Sequence, residues 1–529
     1  MFAGAVIASL GAASASAYPF FTGGTGPVAT GVSLEESLAE PSLWRLAGFQ
    51  TNVAALERVY GVSDHRSLWT GGAQAEKDAQ RALEVLGHAG DEGLDPNDYR
   101  VNELAALREQ QARLHDFEFL LSDSVVRYAR DMRLGRVRPN DVDEDIDLPA
   151  KKFDAASELA TTAKKGTIAQ FLAGLEPAHA EYARLKAALG RYRKLAAMDW
   201  PMVPSEKTPE RKDILRARLM IEDPALAAQS DADLVAALER YQRRNGLEAD
   251  GILGPKTLAA LNVPAADRIT QIAANMERWR WLPDALETRY VMVNTADATL
   301  DVVDSGNTVL HSKVVVGSPD KRSPILRAAA VAVTVNPVWR IPSSIAKSEI
   351  LPELQRNPNY LQDHEMILVG GPADDPAGTR IDWQSVTDFR YMVQQVPGAQ
   401  NALGTLKLEM PNKFDVYLHD TPGKGAFTRD SRALSHGCVR VQNISELASL
   451  AWKGDPMSGL DELGQLIASG ETKKVPLSER LPVYLVYWTA RAGDDGVEFA
   501  PDVYGRDALL IPALRGERVS PRPLTELSI

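Results

Sequence analysis

The chain has 529 residues, 44% hydrophobic and 25% charged, a soluble globular balance spread over too much length for one ordinary core; length alone points to about three or four domains. A formal charge of −12 argues against a nucleic-acid partner, which calls for a basic face. One cysteine, Cys438, excludes an intrachain disulfide and the thiolate-rich zinc sites.

Residues 1–17 form a signal-like segment, an apolar run closing on Ala15-Ser16-Ala17 in the small-x-small pattern of a signal-peptidase site. No Lys or Arg precedes it, which fits a start assigned too far downstream or a short hydrophobic N-terminus; the first, with a cleaved signal and export, is the expectation. No later stretch approaches the ~20 apolar residues of a membrane span. Residues 18–33 are rich in Gly, Thr and Pro and read as a linker. Residues 34–200 carry helical periodicity throughout, at Ser37 to Tyr60, Ala75 to Gly90, Val101 to Gly135 and Ile168 to Leu195, with a turn at Gly93 to Asn97. His88 and His115 read as solvated helix-face residues, so this region is a scaffold.

Residues 214–263 form a compact unit. Leu234, Val235, Leu238, Tyr241 and Leu247 lie around a helix ended by Asn245-Gly246, and Asp250-Gly251 and Gly254-Pro255 make turns before a last helix from Thr257. Through Tyr241, Gln242, Gly246, Leu247, Asp250, Gly251, Gly254, Thr257, Leu261 and Asn262 the unit resembles the small three-helix peptidoglycan-binding module. These positions are structural glycines and leucines for the most part, so they locate no ligand site.

Residues 264–287 predict a connector helix, whose anchors Met276, Trp279 and Trp281 would pin it to the scaffold. From Arg289 the grammar changes to short Val-rich strands with turns at Ser305-Gly306 and Gly317 to Pro319. Strands are expected to stop between 345 and 400, an insertion placed as a lid over the reactive stretch, and to resume at Leu406 to Met410 and Phe414 to Leu418. Helices at Ser445 to Trp452 and Gly459 to Ser469 and a last strand at Val483 to Trp488 follow. Residues 490–529 read as a polar tail without a core signal.

The stretch from Phe414 to Asn443 holds Cys438 together with His419 and His436, two of the eight histidines. A thiol with an imidazole in reach is the minimum kit for nucleophilic acyl transfer. Alternation of Phe414, Val416 and Leu418 with Asp415, Tyr417 and His419 predicts a half-buried strand ending at the histidine. Asn443 with Glu446 has the spacing of a capping box. Cys438 is therefore expected just ahead of a helix, where the dipole favours a thiolate. Either histidine is a candidate base. His436, two positions before the thiol, would reach Sγ only under strain, whereas a strand-borne His419 approaches laterally.

The motif Ser435-His436-Gly437-Cys438-Val439-Arg440 after His419, with NMERWRWLP, VVVGSPDKRSP, VNPVWRIPSSIAKSEILP, NALGTLKLEMPN and LPVYLVY, resembles the YkuD-type catalytic domain of the L,D-transpeptidases. The long periplasmic members, with a helical scaffold and an embedded peptidoglycan-binding module, are the nearest likeness. The resemblance implies a multidomain α+β fold whose mostly-β catalytic domain spans 288–489, with 345–400 as a substrate-capping insertion. It makes Cys438 the nucleophile and His419 the base, oriented by the backbone carbonyl of Asp420, whose carboxylate would be incidental. His436, Gly437 and the Cys438 amide would hold the oxyanion. Ser435 and Arg440 flank the motif; Arg440 would bind a substrate carboxylate or brace the loop, with bracing favoured. Tyr417 would line the pocket, and Trp339 would wall the groove or belong to the core.

The implied reaction needs no metal and no organic cofactor. The thiolate attacks the carbonyl between the diamino acid and D-Ala of a tetrapeptide stem, D-Ala leaves, and a diamino-acid side-chain amine resolves the thioester into a 3→3 cross-link. Carbapenem acylation at Cys438 and association with other cell-wall synthases are further implied partners. The alternatives are an L,D-carboxypeptidase, transfer to or from a lipoprotein through the same acyl-enzyme, and a wall-binding protein whose cysteine is idle.

Overall fold

A computed structural model describes residues 33–39, 52–110, 113–222, 230–455, 457–493 and 496–523. The signal-like segment and nearly all of the linker lie outside these residues. The scaffold is built on helices Val53–Val62, Ala73–Gly87, Val101–Arg108, Leu114–Leu134, Ala155–Lys165, Ile168–Ala173 and Ala180–Ala196. The long periodic runs therefore break where the chain stops supporting a helix. Gly174 ends one helix ahead of Pro177, and the side chain of Asp154 caps a helix that periodicity alone did not single out. Leu56, Tyr60, Leu83, Phe119, Leu121 and Leu159 lie in the core of this unit.

One piece of the scaffold is not helical. Ile146–Asp147 (β1) leaves it and pairs in parallel with Ile325–Val335 (β5) of the C-terminal sheet. Around that contact run Arg289–Asn294 (β2), Thr299–Asp304 (β3) and Asn307–Gly317 (β4). Trp339–Ile341 (β6) leads into the insertion, which carries Met366–Val369 (β7) and Met392–Gln395 (β8); beyond it come Leu406–Glu409 (β9), Leu418–His419 (β10), Ala433–Ser435 (β11), Val439–Val441 (β12) and Lys473–Val486 (β13). Among the described residues β1–β5 and β9–β13 form a sheet of ten strands in the order β1-β5-β13-β2-β3-β4-β12-β10-β9, with β11 on β4. Because β9 also pairs with β5, the sheet closes on itself. Val291, Val293, Leu300, Val302, Val314, Leu408, Leu418, Val439 and Val441 fill its inside.

The insertion is not strand-free as expected. β6, β8 and β7 make a separate antiparallel sheet over its own core of Ile341, Leu354, Leu361, Trp383, Phe389 and Val393. Its strands were hidden because MILV and MVQQ are short and sit among turn residues.

The peptidoglycan-binding-like unit is three helices, Arg211–Glu222, Asp231–Arg244 and Pro255–Leu261. Gln242 explains part of its motif: the buried amide donates to Asp250 Oδ1, the Ile252 carbonyl and Thr257 Oγ1 and accepts from Gly251 N–H, so it knits the turn to both helices.

The connector helix, Ala265–Trp281, joins the units. Trp281 Nε1 donates to the Val137 carbonyl, and Gly135 is needed there because a Cβ would stand 2.8 Å from the indole. Met276 and Trp279 pack with scaffold residues Tyr182, Leu185 and Leu189, and Trp279 stacks on Trp488 at 4.4 Å.

The segment after residue 489 is also ordered where described, against the expectation of a tail. Ala490–Gly493 (β14) and Gly496–Phe499 (β15) form a hairpin. Phe499 is buried against Tyr192, and helix Asp507–Leu514 follows. Each element is too short to show a period, and its apolar residues are complementary to other units rather than to one another.

Candidate active site

The register of three strands assembles the site. His419 on β10 is paired with Lys407 on β9 and, in parallel, with Arg440 on β12. Paired residues in a sheet point to the same face, and residues two apart along a strand share it. Lys407, His419 and Arg440 therefore form one row, and Tyr417 and Cys438, one step back, form the next. The intervening Leu408, Leu418 and Val439 point into the core and are fully buried, which fixes the register. The Val439 N–H donates to the Tyr417 carbonyl at 3.1 Å and ties the thiol-bearing segment to the tyrosine.

The approach to His419 departs from the expected strand. Phe414, Val416 and Leu418 are buried as the alternation requires, yet only Leu418–His419 is strand. Asn412 Oδ1 accepts from the N–H groups of Phe414 and Val416, and Asp415 adopts a left-handed φ of 49°. That turn brings the Asp415 carbonyl to 4.0 Å from Cys438 Sγ. A non-glycine residue in this conformation costs about 1–3 kcal/mol, and such strain persists where surrounding contacts enforce it.

His419 is buried, and burial, with Arg440 beside it, pushes its pKa down to about 3. It is thus a neutral imidazole, able to accept a proton. The Asp420 backbone pulls the other way, although Nδ1 makes no hydrogen bond of regular geometry among the described residues. The Tyr417 ring stands edge-on to the imidazole at 5.5 Å, and Lys407 Nζ lies 4.0 Å above the Tyr417 ring.

Cys438 does not sit at a helix N-terminus. β12 intervenes, helix Ile444–Lys453 begins later, and Asn443 makes no side-chain cap. Burial accordingly raises the thiol pKa, opposed by the Tyr417 backbone and hydroxyl, Lys407 and Arg440. The resting group is a thiol beside a neutral base, which corrects the expectation of a dipole-stabilised thiolate.

The loop before Cys438 is stapled by Ser435. Its hydroxyl donates to the Cys438 carbonyl at 2.5 Å and accepts from the Gly437 N–H at 3.1 Å, while Gly437 has a φ of 115°. His436 is part-exposed, and its Nε2 is engaged by Glu349 Oε1 from the insertion, which also meets Lys321. Arg440 flanks the loop on β12, and its Nε is buried without a hydrogen-bond partner among the described residues.

The Asp420 carboxylate is not incidental to the structure. Oδ2 accepts from Thr405 N–H and Oγ1, each at 3.0 Å, and Oδ1 meets Lys424. Trp339, just ahead of the insertion, pairs with its Gln395 and packs on its core; no described contact brings it to the thiol.

Lys407, Glu349 and Ser323 escaped the sequence reading. Lys407 carried a usable signal, since in Leu406-Lys407-Leu408 it takes the face opposite to the core. Among the described residues no group of three or more His, Cys, Asp or Glu side chains converges as a metal site.

Residues 288–458 match the L,D-transpeptidase catalytic domain family, YkuD. Residues 219–261 match the family described as "Putative peptidoglycan binding domain", and residues 54–189 the scaffold domain family. A curated protein of Haemophilus influenzae, named "Putative L,D-transpeptidase", is 37% identical over 245 residues, 45% of this chain and 48% of that protein. The chain thus spans about half the length of the curated relative it matches. With the motif and its sheet in place, residues 288–458 carry the YkuD-type L,D-transpeptidase catalytic domain, and the chain is similar over 45% of its length to a protein named for that activity.

Proposed function

We propose that the protein is an L,D-transpeptidase that forms 3→3 cross-links in peptidoglycan through a Cys438 thioester. The observation that carries this reading is the shared face on which the Cys438 thiol, the neutral imidazole of His419 and the cations Lys407 and Arg440 converge. A neutral base suits a thiol that must lose its proton as it attacks.

In the first half-reaction the Cys438 S–H proton passes to His419 and the sulfur bonds to the carbonyl carbon that joins the diamino acid to D-Ala. The tetrahedral oxyanion is held by the amide of Cys438 and its loop. Collapse breaks the C–N bond, and His419 returns the proton to the departing D-Ala amine. In the second half-reaction a diamino-acid side-chain amine of a neighbouring stem attacks the thioester. The C–S bond breaks, and the amine proton restores the thiol by way of His419. Arg440, with a buried Nε that lacks a partner, is suited to a carboxylate of the donor stem. The peptidoglycan-binding unit would keep the enzyme on its polymer, and the site of action would be the periplasm. Carbapenems, as acylating agents, would occupy the same thiol, and wall synthases are proposed partners.

The test is mass spectrometry of muropeptides after purified full-length protein is incubated with tetrapeptide-bearing wall fragments. Dimers joined through two diamino acids, absent with Cys438→Ala, are expected. Tripeptides alone would assign an L,D-carboxypeptidase instead, and unchanged fragments would refute both.

A further inference from the structure

Ser323 lies in the loop between β4 and β5 and is fully buried. Its hydroxyl accepts from the Gly317 N–H at 2.9 Å and donates to the Gly437 carbonyl at 2.7 Å. That carbonyl belongs to the peptide whose other half is the Cys438 N–H. A trans peptide is planar, with its C=O and N–H pointing in opposite directions. Fixing the Gly437 oxygen on Ser323 therefore aims the Cys438 N–H directly away from Ser323, and among the described residues this N–H has no acceptor.

The strut continues away from the nucleophile. Tyr504 O–H donates to the Gly317 carbonyl at 2.7 Å, and Arg506 Nη1 donates to the Ser323 carbonyl at 3.1 Å. Arg506 Nε in turn meets Asp143 Oδ2 of the scaffold at 2.7 Å. Arg322 pairs with Asp145 next to it. Glycine is required at 317, since a Cβ there would stand 2.1 Å from the Lys321 carbonyl oxygen. The loop from 317 to 323 is consequently clamped between the C-terminal segment and the scaffold, with a single side-chain hydroxyl reaching the peptide that precedes the thiol.

We propose that Ser323 is a positioning residue for the oxyanion hole: by holding the Gly437 carbonyl it aims the Cys438 N–H at the developing oxyanion, and Arg506 and Asp143 anchor it to the scaffold. The inference rests on the acyl-enzyme reading above. It gives the scaffold and the C-terminal segment a part in the chemistry as well as in support. Acyl transfer needs the oxyanion donor, whereas alkylation of the same sulfur by iodoacetamide, a displacement at a saturated carbon, does not.

The experiment compares full-length wild type with Ser323→Ala in two reactions at one pH: acylation of Cys438 by a carbapenem, followed by intact mass, and alkylation by iodoacetamide. Acylation should fall about 10- to 100-fold, below the roughly 100- to 1,000-fold of losing an oxyanion donor outright because the Cys438 N–H is misaimed and not removed, with alkylation changed less than about twofold. Equal losses in both reactions, or no loss in either, would overturn the proposal. Tyr504→Phe supplies a second variant should Ser323→Ala not fold; it slackens the same loop, and the same selective loss, smaller in size, is expected. Wild-type protein that forms no acyl adduct with carbapenem or tetrapeptide would refute the acyl-enzyme reading itself, and this inference with it.

Discussion

His419 faces Arg440 across the parallel pair of β10 and β12, so the proposed base of this site has a cation as its lateral neighbour. Burial first, and Arg440 second, hold the imidazole neutral down to about pH 3, while burial lifts the Cys438 thiol above its ordinary value. The pair rests as thiol and imidazole, not as thiolate and imidazolium. Alkylation of Cys438 by iodoacetamide should therefore keep rising with pH to beyond 9, without a plateau between pH 5 and 8. A plateau in that interval would be the signature of a preformed ion pair and would contradict the account.

Among the described residues a carboxylate of the insertion, Glu349, meets the nucleophile loop at His436. Glu349 sits in a π-turn, Ala346–Ile350, and meets both His436 and Lys321. Half-exposed pairs of this kind contribute about 0–1 kcal/mol each, too little to lock the insertion onto the loop. Glu349→Gln should raise amide hydrogen exchange across 343–356 and leave thermal stability within about 1 °C. Unchanged exchange would show that the insertion is held by its other contacts.

Gly404 has a φ of 60°, and a Cβ there would stand 2.4 Å from the Asp420 carboxylate. Gly404→Ala should thus strain the backbone and push on the clamp that joins Thr405 and Lys424 to the residue after His419. A loss of about 1–3 kcal/mol in unfolding free energy is expected, measured by denaturant titration. Asp420→Asn should cost a similar amount, because the Lys424 contact loses its charge.

In the scaffold, Glu118 is fully buried and its pKa is raised to about 7, burial being the main cause, with donors from Trp69 N–H, Thr70 and Tyr60 opposing it. The unfolded chain ionises this carboxyl near its ordinary 4.5, so the folded state binds the proton more tightly. Its contribution is complete below pH 4.5 and is lost as pH rises through about 7, at no more than about 1.4 kcal/mol per pH unit. Glu118→Gln should flatten that part of the stability profile, and an unaltered slope would assign it to other groups.

What could be read from the sequence follows from how local each signal is. The strands around residue 300 and the module's glycines and leucines each speak through their own period or turn. The SHGCVR motif and His419 mark the site because a lone thiol near imidazoles is rare chemistry. Other features depend on partners distant in sequence. Lys407 and Arg440 join His419 only through register, Ser323 meets Gly437 across 114 positions, and Arg506 meets Asp143 across 363. The thiolate expectation failed for a local reason: Val439–Val441 looks like a lead into a helix, yet it pairs with β4 and β10.

The central claim is that Cys438 carries the acyl group and His419 moves its proton. Intact-mass analysis of full-length protein mixed with a tetrapeptide stem tests it most directly. The account predicts a thioester adduct of the tripeptide on wild type with one D-Ala released per adduct, none on Cys438→Ala, and formation slowed about 100-fold or more in His419→Gln. An adduct that survives Cys438→Ala, or forms at an undiminished rate in His419→Gln, would contradict it.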